Sequence, residues 1–193
     1  MTWALGMDPS LSHTALVLGH GDPGQKKQVA LQSFKIKVEL KKFPHEIARL
    51  GALVERFLSV LEVCEEEIPR DVPRVLCLEN YSFGSVGRNA QLGEWGGQIR
   101  LHAWSRGWTT IAIPPTTLKK FVTGSGKSEK DMLMMHVLQR WKYESTDNNN
   151  ADAYALMRVG LLFASHLQGE HVTQETLDLF KKCVVYTPYG ATG

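Results

Sequence analysis

Trp3-Ala4-Leu5-Gly6-Met7-Asp8-Pro9-Ser10 decides how the rest of this 193-residue chain is read. An apolar run enters, one carboxylate closes it, and a Pro-Ser-Leu-Ser turn follows. His13-Thr-Ala-Leu-Val-Leu-Gly19 then runs back as a second strand. A buried strand that ends in an acid places a carboxylate in a sheet, where it is costly unless a cation or a partner holds it. Asp before Pro also starts turns, so Asp8 alone carries no function. Acids recurring in the same setting would.

Outward from this hairpin, Gly19-His-Gly-Asp-Pro-Gly24 is a turn cluster and Val29–Lys37 reads as a third strand, giving an antiparallel meander. Pro44 opens a helix with Ile47, Leu50, Val54, Phe57, Leu58 and Leu61 at helical spacing, ended by a Glu run before Pro69. Pro73-Arg-Val-Leu-Cys-Leu78 is a short apolar strand that ends in Glu79, a second acid at a strand tip. A Gly-rich loop, Asn80 to Arg88, carries Tyr81 and Phe83. The helix after it, about 89 to 106, sets Leu92, Trp95, Ile99 and Ala103 on one face.

Thr109–Ile113 is the fifth strand, stopped by Pro114-Pro115, and a short helix takes up Thr116 to Val122. Ser128 and Asp131 form a capping box for a helix running to Trp141. Asp147-Asn-Asn-Asn150 leads into an Ala-rich helix from Ala151 to about Leu167. Thr173 caps a last helix, and the tail from Tyr186 reads as mobile. The expected architecture is α/β. A mixed five-stranded sheet starts as an antiparallel meander and continues as parallel strands, with helices on both faces. Residues 1–168 form the main domain and 169–193 a C-terminal helix and tail.

Composition narrows the class. The chain is 43% hydrophobic with a formal net charge of +2, which suits a globular core and does not by itself demand a nucleic-acid partner. The charges are segregated, however: Glu62, Glu65, Glu66 and Glu67 gather in one helix, Lys119, Lys120, Lys127 and Lys130 elsewhere. Three scattered cysteines make neither a metal set nor a disulfide framework, and no apolar run is long enough to cross a bilayer. A soluble, cytoplasmic protein is expected.

The chemistry lies in the acids. Asp152, at the start of an apolar helix, joins Asp8 and Glu79. Carboxylates brought together repel unless a divalent cation sits among them. Mg²⁺ or Mn²⁺ accepts such oxygen ligands, and two ions about 4 Å apart can serve phosphodiester hydrolysis. Asn149 precedes Asp152 by one helical turn and shares its side, while Asp147 reads as the helix cap. Leu118-Lys-Lys-Phe-Val-Thr-Gly-Ser-Gly-Lys-Ser-Glu-Lys130 supplies cations and glycines that let backbone approach phosphates.

At these residues the chain resembles the RuvC-type Holliday-junction resolvases of the ribonuclease H-like superfamily. Lys119, Val122, Gly124, Gly126, Glu129 and Lys130 match a Lys-x-x-Val-x-Gly-x-Gly-x-x-Glu-Lys pattern. Gly6-x-Asp8-Pro9 with Thr14 is similar to the first acidic motif, Leu78-Glu79 with its aromatic loop to the second, and Gly97-Gln98-x-Arg100 to the helix beyond. Asn149-x-x-Asp152-Ala153 resembles the last, Asp-x-x-Asp-Ala. The chain departs from the pattern at Ser10, Ala15 and Asn149, where the family has Gly, Gly and an acid.

The resemblance spans residues 3 to 165 and implies a homodimeric, Mg²⁺-dependent endonuclease, active with Mn²⁺, that nicks opposed strands of a four-way DNA junction. It implies Asp8, Glu79, Asp152 and Asn149 as catalytic metal ligands. Lys119, Lys130, Lys120, Lys127 and Arg88 would contact DNA. Tyr81 and Phe83 either stack on bases at the junction centre or fold into the core. The helix stripe of Leu92, Trp95, Gly96 and Ile99 is the candidate dimer seam. The competing readings are a ribonuclease H-like nuclease of broader branched-DNA specificity and a catalytically weak DNA-binding module. An actin-like or sugar-kinase ATPase would need a second domain that this length denies.

Overall fold

The computed structural model describes residues 1–22, 30–80, 89–127 and 130–188, with the side chains of Leu40, Asn89, Lys130 and Asp131 left out. The hairpin forms as read: β1 (Thr2–Asp8) and β2 (His13–Gly21) pair from Thr2 opposite Gly21 to Asp8 opposite Ala15. The Thr14 hydroxyl pins the turn, donating to the Ser10 carbonyl at 2.8 Å and accepting from the Ser10 amide at 3.0 Å. Ser10 Oγ accepts from the His13 amide at 3.4 Å, and Ser10 has no positive φ. The turn therefore does not need the glycine that the family pattern carries there.

β3 (Ala30–Lys37) continues the meander, and α1 (Glu46–Glu67) then returns the chain to β4 (Val75–Glu79), which lies parallel to β1. α2 (Asn89–Ser105) connects β4 to β5 (Thr109–Ile113), also parallel. After α3 (Pro115–Thr123), α4 (Lys130–Trp141), α5 (Asn148–Leu167) and α6 (Gln174–Phe180), β6 (Val184–Tyr186) adds antiparallel to β5. The sheet order is β3-β2-β1-β4-β5-β6.

Among the described residues the sheet thus has six strands where five were expected. β6 spans three exposed residues and ends two positions before a proline, too short to leave an alternating pattern. It is also tied to the rest: Trp104 Nε1 donates to the Thr187 carbonyl at 2.8 Å, and the Arg100 guanidinium sits 5.6 Å over the Tyr186 ring.

Strand alternation splits the interior into two cores. Trp3, Leu5, Met7, Leu76 and Leu78 face α1 and α2, while Ala4, Val75, Cys77, Ile111 and Ile113 face α5. α5 lies on the sheet and is covered in turn by α3, α4 and α6, so fourteen of its twenty residues are buried. On the other face Trp95 packs edge-on against Phe57 at 5.9 Å. Trp95 and Ile99 are wholly buried in that core and Leu92 packs against it. The stripe expected to form a dimer seam is therefore spent inside the monomer: an apolar helix face covers whatever sheet lies nearest. Among the described residues no helix is long and apolar enough to cross a membrane.

Candidate active site

The position of the acids follows from register. Met7 lies beside Leu78, so the next residues, Asp8 and Glu79, leave the sheet side by side on strands about 4.8 Å apart. Ala4 and Gly6 precede Asp8 on the face toward α5, and Val75 and Cys77 precede Glu79 on that same face. Both carboxylates therefore emerge beneath one helix. Each is half-buried.

The helix is held unusually close. A Cβ on Gly6 would stand 2.0 Å from the Ala153 carbonyl oxygen and 2.2 Å from the Met157 amide nitrogen; one on Gly160 would stand 2.8 Å from Ala4 Cβ. Backbone against backbone at Gly6 fixes Ala153 over β1 two residues before Asp8, and so sets Asp152 at the same end of the sheet.

Asp147 caps α5, accepting from the Asn150 amide at 2.8 Å and from Lys35 Nζ at 2.7 Å. Burial would raise its pKa, but the Lys35 bond comes first and the carboxyl is lowered from its ordinary value. Asn150, 1% exposed, locks the helix start from below: its Oδ1 accepts from the Tyr143 hydroxyl at 2.9 Å, and Tyr143 stacks on Tyr154 at 3.9 Å. Asn149 is thus relieved of capping. Its Nδ2 donates to the His13 carbonyl at 3.2 Å, which ties the helix to β2 beside Asp8.

The register and the Gly6 contact bring Asp8, Glu79, Asp152 and Asn149 to one end of the sheet. Among the described residues no three acidic, His or Cys side chains are gathered into a ready ion-binding group. The donor chemistry of three carboxylates and one amide nonetheless fits a hard divalent cation that retains waters or substrate oxygens.

The basic segment sits next to these acids. α3 starts two residues after Ile113, the partner of Glu79, and the Gly124–Lys127 loop folds back over it. A Cβ on Gly126 would lie 3.1 Å from the Thr116 carbonyl. Lys119 is half-buried, while Lys120 and Lys127 are exposed. Tyr81, Phe83 and Arg88 lie outside the described residues, as does the Lys130 side chain.

The sequence reading missed Lys35 and Lys37, which line a cleft of about 340 Å³ with His13 and Asn149. Both fall on the α5-facing register of β3, a signal visible only once Thr14 is known to pair with Ile36.

No protein-family model matches the chain. It is 26% identical over 156 residues, 79% of its length and 77% of theirs, to the crossover junction endodeoxyribonucleases RuvC of Mycobacterium bovis and Mycobacterium tuberculosis. The structure of Thermus thermophilus RuvC superposes with a TM-score of 0.66, at 19% identity, over 87% of this chain and 97% of that one. The T. thermophilus RuvC in complex with a Holliday junction substrate gives 0.65, at 20% identity, over 82% and 92%. Over most of its length this chain is similar in sequence to RuvC, and it shares the RuvC fold.

Proposed function

We propose that this protein is a metal-dependent endonuclease that resolves four-way DNA junctions by paired nicks in opposed strands, acting in recombination and repair. The observation that carries the reading is the emergence of Asp8 and Glu79 side by side under the helix that bears Asp152. It occurs in a chain that aligns with crossover junction endodeoxyribonucleases over three quarters of its length.

Asp8, Glu79 and Asp152, with the Asn149 amide oxygen, would hold Mg²⁺ or Mn²⁺, two ions per site. Bound there, the ions supply an activated water and stabilise the leaving oxygen. The chain's own part is to aim. The Gly6 contact and the Asp147 cap fix where Asp152 stands, and the Asn149 bond to the His13 carbonyl keeps the helix start against β2. Lys119, Lys120, Lys127 and Lys130, with Arg88, hold the DNA backbone near the scissile phosphate; Tyr81 and Phe83 stack at the open centre of the junction. Residues 1–168 form the nuclease domain and 169–193 a C-terminal extension, within which β6 pairs with the sheet edge. Two symmetric nicks call for two sites, hence a homodimer.

The test is cleavage of labelled four-way, Y-shaped and linear DNA with Mg²⁺, Mn²⁺ or EDTA. Symmetric metal-dependent nicks on the four-way junction alone are expected. Equal cutting of Y-shaped DNA would make the protein a broader branched-DNA nuclease, and binding without cleavage a DNA-binding module.

A further inference from the structure

Away from the acids, α3, α4, α5 and α6 enclose an open cleft of about 810 Å³. Its floor is apolar, built from Trp141, Leu162 and Leu179, and four cations enter it: Lys120, Arg140, Arg158 and Lys182. Arg158 is the unexpected one. It sits in the middle of the most buried helix of the fold, 3% exposed, with its guanidinium 5.4 Å over the Trp141 ring. Burial, first, and the neighbouring Arg140 lower its pKa, while contact with Tyr154 raises it. A cation kept against that desolvation cost, with a second arginine beside it and Asp22 acting as a nearby counter-charge, makes the cleft floor cationic.

Arg140 is held in place before any ligand arrives. Its guanidinium lies 5.2 Å over Phe121 and 5.0 Å over Trp141, and its NH1 donates to the Phe121 carbonyl at 2.6 Å. Lys120, Arg140 and Lys182 enter no salt bridge among the described residues. Two carboxylates also line the cleft, Glu175 and Asp178, but Asp178 is already engaged by Lys181 at 2.8 Å. The balance favours an anion, and it is spread over a cleft of about 810 Å³, larger than one isolated phosphate fills. Lys120 reaches the cleft from α3, the helix that also carries Lys119 and starts two residues after Ile113, the partner of Glu79.

We propose that this cleft seats the phosphodiester backbone of a DNA arm as it leaves the catalytic end of the sheet. The inference rests on the nuclease reading and adds a second, sequence-independent contact to it. The arm is held there by Arg140, Lys182 and Lys120 at the rim, with Arg158 behind them. Because the contact lies off the junction centre, only arms long enough to reach it feel it.

The experiment compares the full-length protein with an Arg140→Gln, Lys182→Gln double variant in EDTA. Affinity is measured against salt on four-way junctions with arms of about one and about three helical turns, the turn being about 10 base pairs. On long arms the double variant should show a slope of log affinity against log salt smaller by about two units, and weaker binding by tenfold or more. On short arms the two proteins should coincide. Glu175→Lys, an exposed change on α6, should steepen the long-arm slope by about one unit.

Superimposable long-arm slopes, with the parent binding and cutting normally, would overturn the cleft assignment alone. Equal losses on short and long arms would overturn it too. So would melting curves in which inorganic phosphate stabilises the parent but not the double variant, while their DNA slopes coincide, since the cleft would then take free anions. A parent protein that binds no junction would overturn this inference and the nuclease reading together.

Discussion

Replacing Gly6 with alanine is the sharpest test of how this fold builds its acidic end. The added Cβ would meet the Ala153 carbonyl oxygen at 2.0 Å, the Met157 amide nitrogen at 2.2 Å and Met157 Cα at 2.8 Å. All three are backbone atoms of one helix, so no side chain can swing aside. α5 must retreat from β1 by about 1 Å or more, and a gap of that size forfeits a quarter to a half of each dispersion contact along the seam. Fourteen residues of α5 are buried, so the loss is shared along the helix.

Overpacking of a well-filled core costs about 1–3 kcal/mol where side chains can adjust, and here the upper end is the floor. Against a total stability of about 5–15 kcal/mol, and at about 2–4 °C per kcal/mol for a chain of this size, Gly6→Ala should melt about 10 °C below the parent. Gly97→Ala is the control. It lies in α2 with nothing within 4 Å of its Cβ, and should gain about 0.5–1 kcal/mol of helix propensity. Thermal melts of the three proteins decide it, with cleavage assayed well below the lower melting point. A Gly6→Ala protein that melts within about 2 °C of the parent would refute the close approach. One that melts low yet cleaves at the parent rate would show that the contact holds the fold without setting the acids.

Asp8→Asn, Glu79→Gln and Asp152→Asn should each abolish cleavage while leaving junction binding equal or tighter, read by gel shift beside a nicking assay; normal cutting by any one removes it from the site. Asn149→Asp should lower the Mg²⁺ concentration for half-maximal cleavage, because a full charge replaces a neutral oxygen near Asp152, and superimposable titrations would exclude Asn149 as a ligand. Glu65 accepts from Arg106 Nε at 3.0 Å, Arg106 NH2 at 2.7 Å and Trp108 Nε1 at 2.8 Å. Burial raises its pKa, but these bonds outweigh burial and the carboxyl is lowered. Its stabilisation is therefore full above the ordinary carboxylate range and lost as pH falls through the depressed value. Glu65→Gln should cost about 1.5–3 kcal/mol in urea melts at pH 7, and the gap should close under strong acid.

What the sequence disclosed, and what it hid, divides along range of interaction. β1, β4 and β5 were legible as short apolar runs closed by Asp8, Glu79 and Pro114-Pro115, and an acid at a strand tip is an exception that shows locally. Asp147 was read as a cap and acts as one. α5, however, begins at Asn148, three residues before the expected start. Asparagines are weak helix formers, and a cap with a buried Asn150 under it recruits them by tertiary contact. The Trp95 stripe was legible as apolar but not as to what it covers. β6 was hidden because its pairing with β5 depends on residues more than seventy positions away.

α5 links these features physically. Its sheet face is trimmed to Ala153 and Gly160, which permits the approach that places Asp152 near Asp8. Its outer face carries Arg158 into the basic cleft. The helix is rigid over the six residues from Asp152 to Arg158, about 9 Å, so a shift of its seat on β1 moves both groups together. Gly6→Ala should therefore weaken both cleavage and long-arm binding. The Arg140→Gln, Lys182→Gln variant acts from α4 and the turn after α6, and should weaken only the second. Two perturbations with overlapping but unequal effects separate a helix that positions both sites from two sites that merely share a fold.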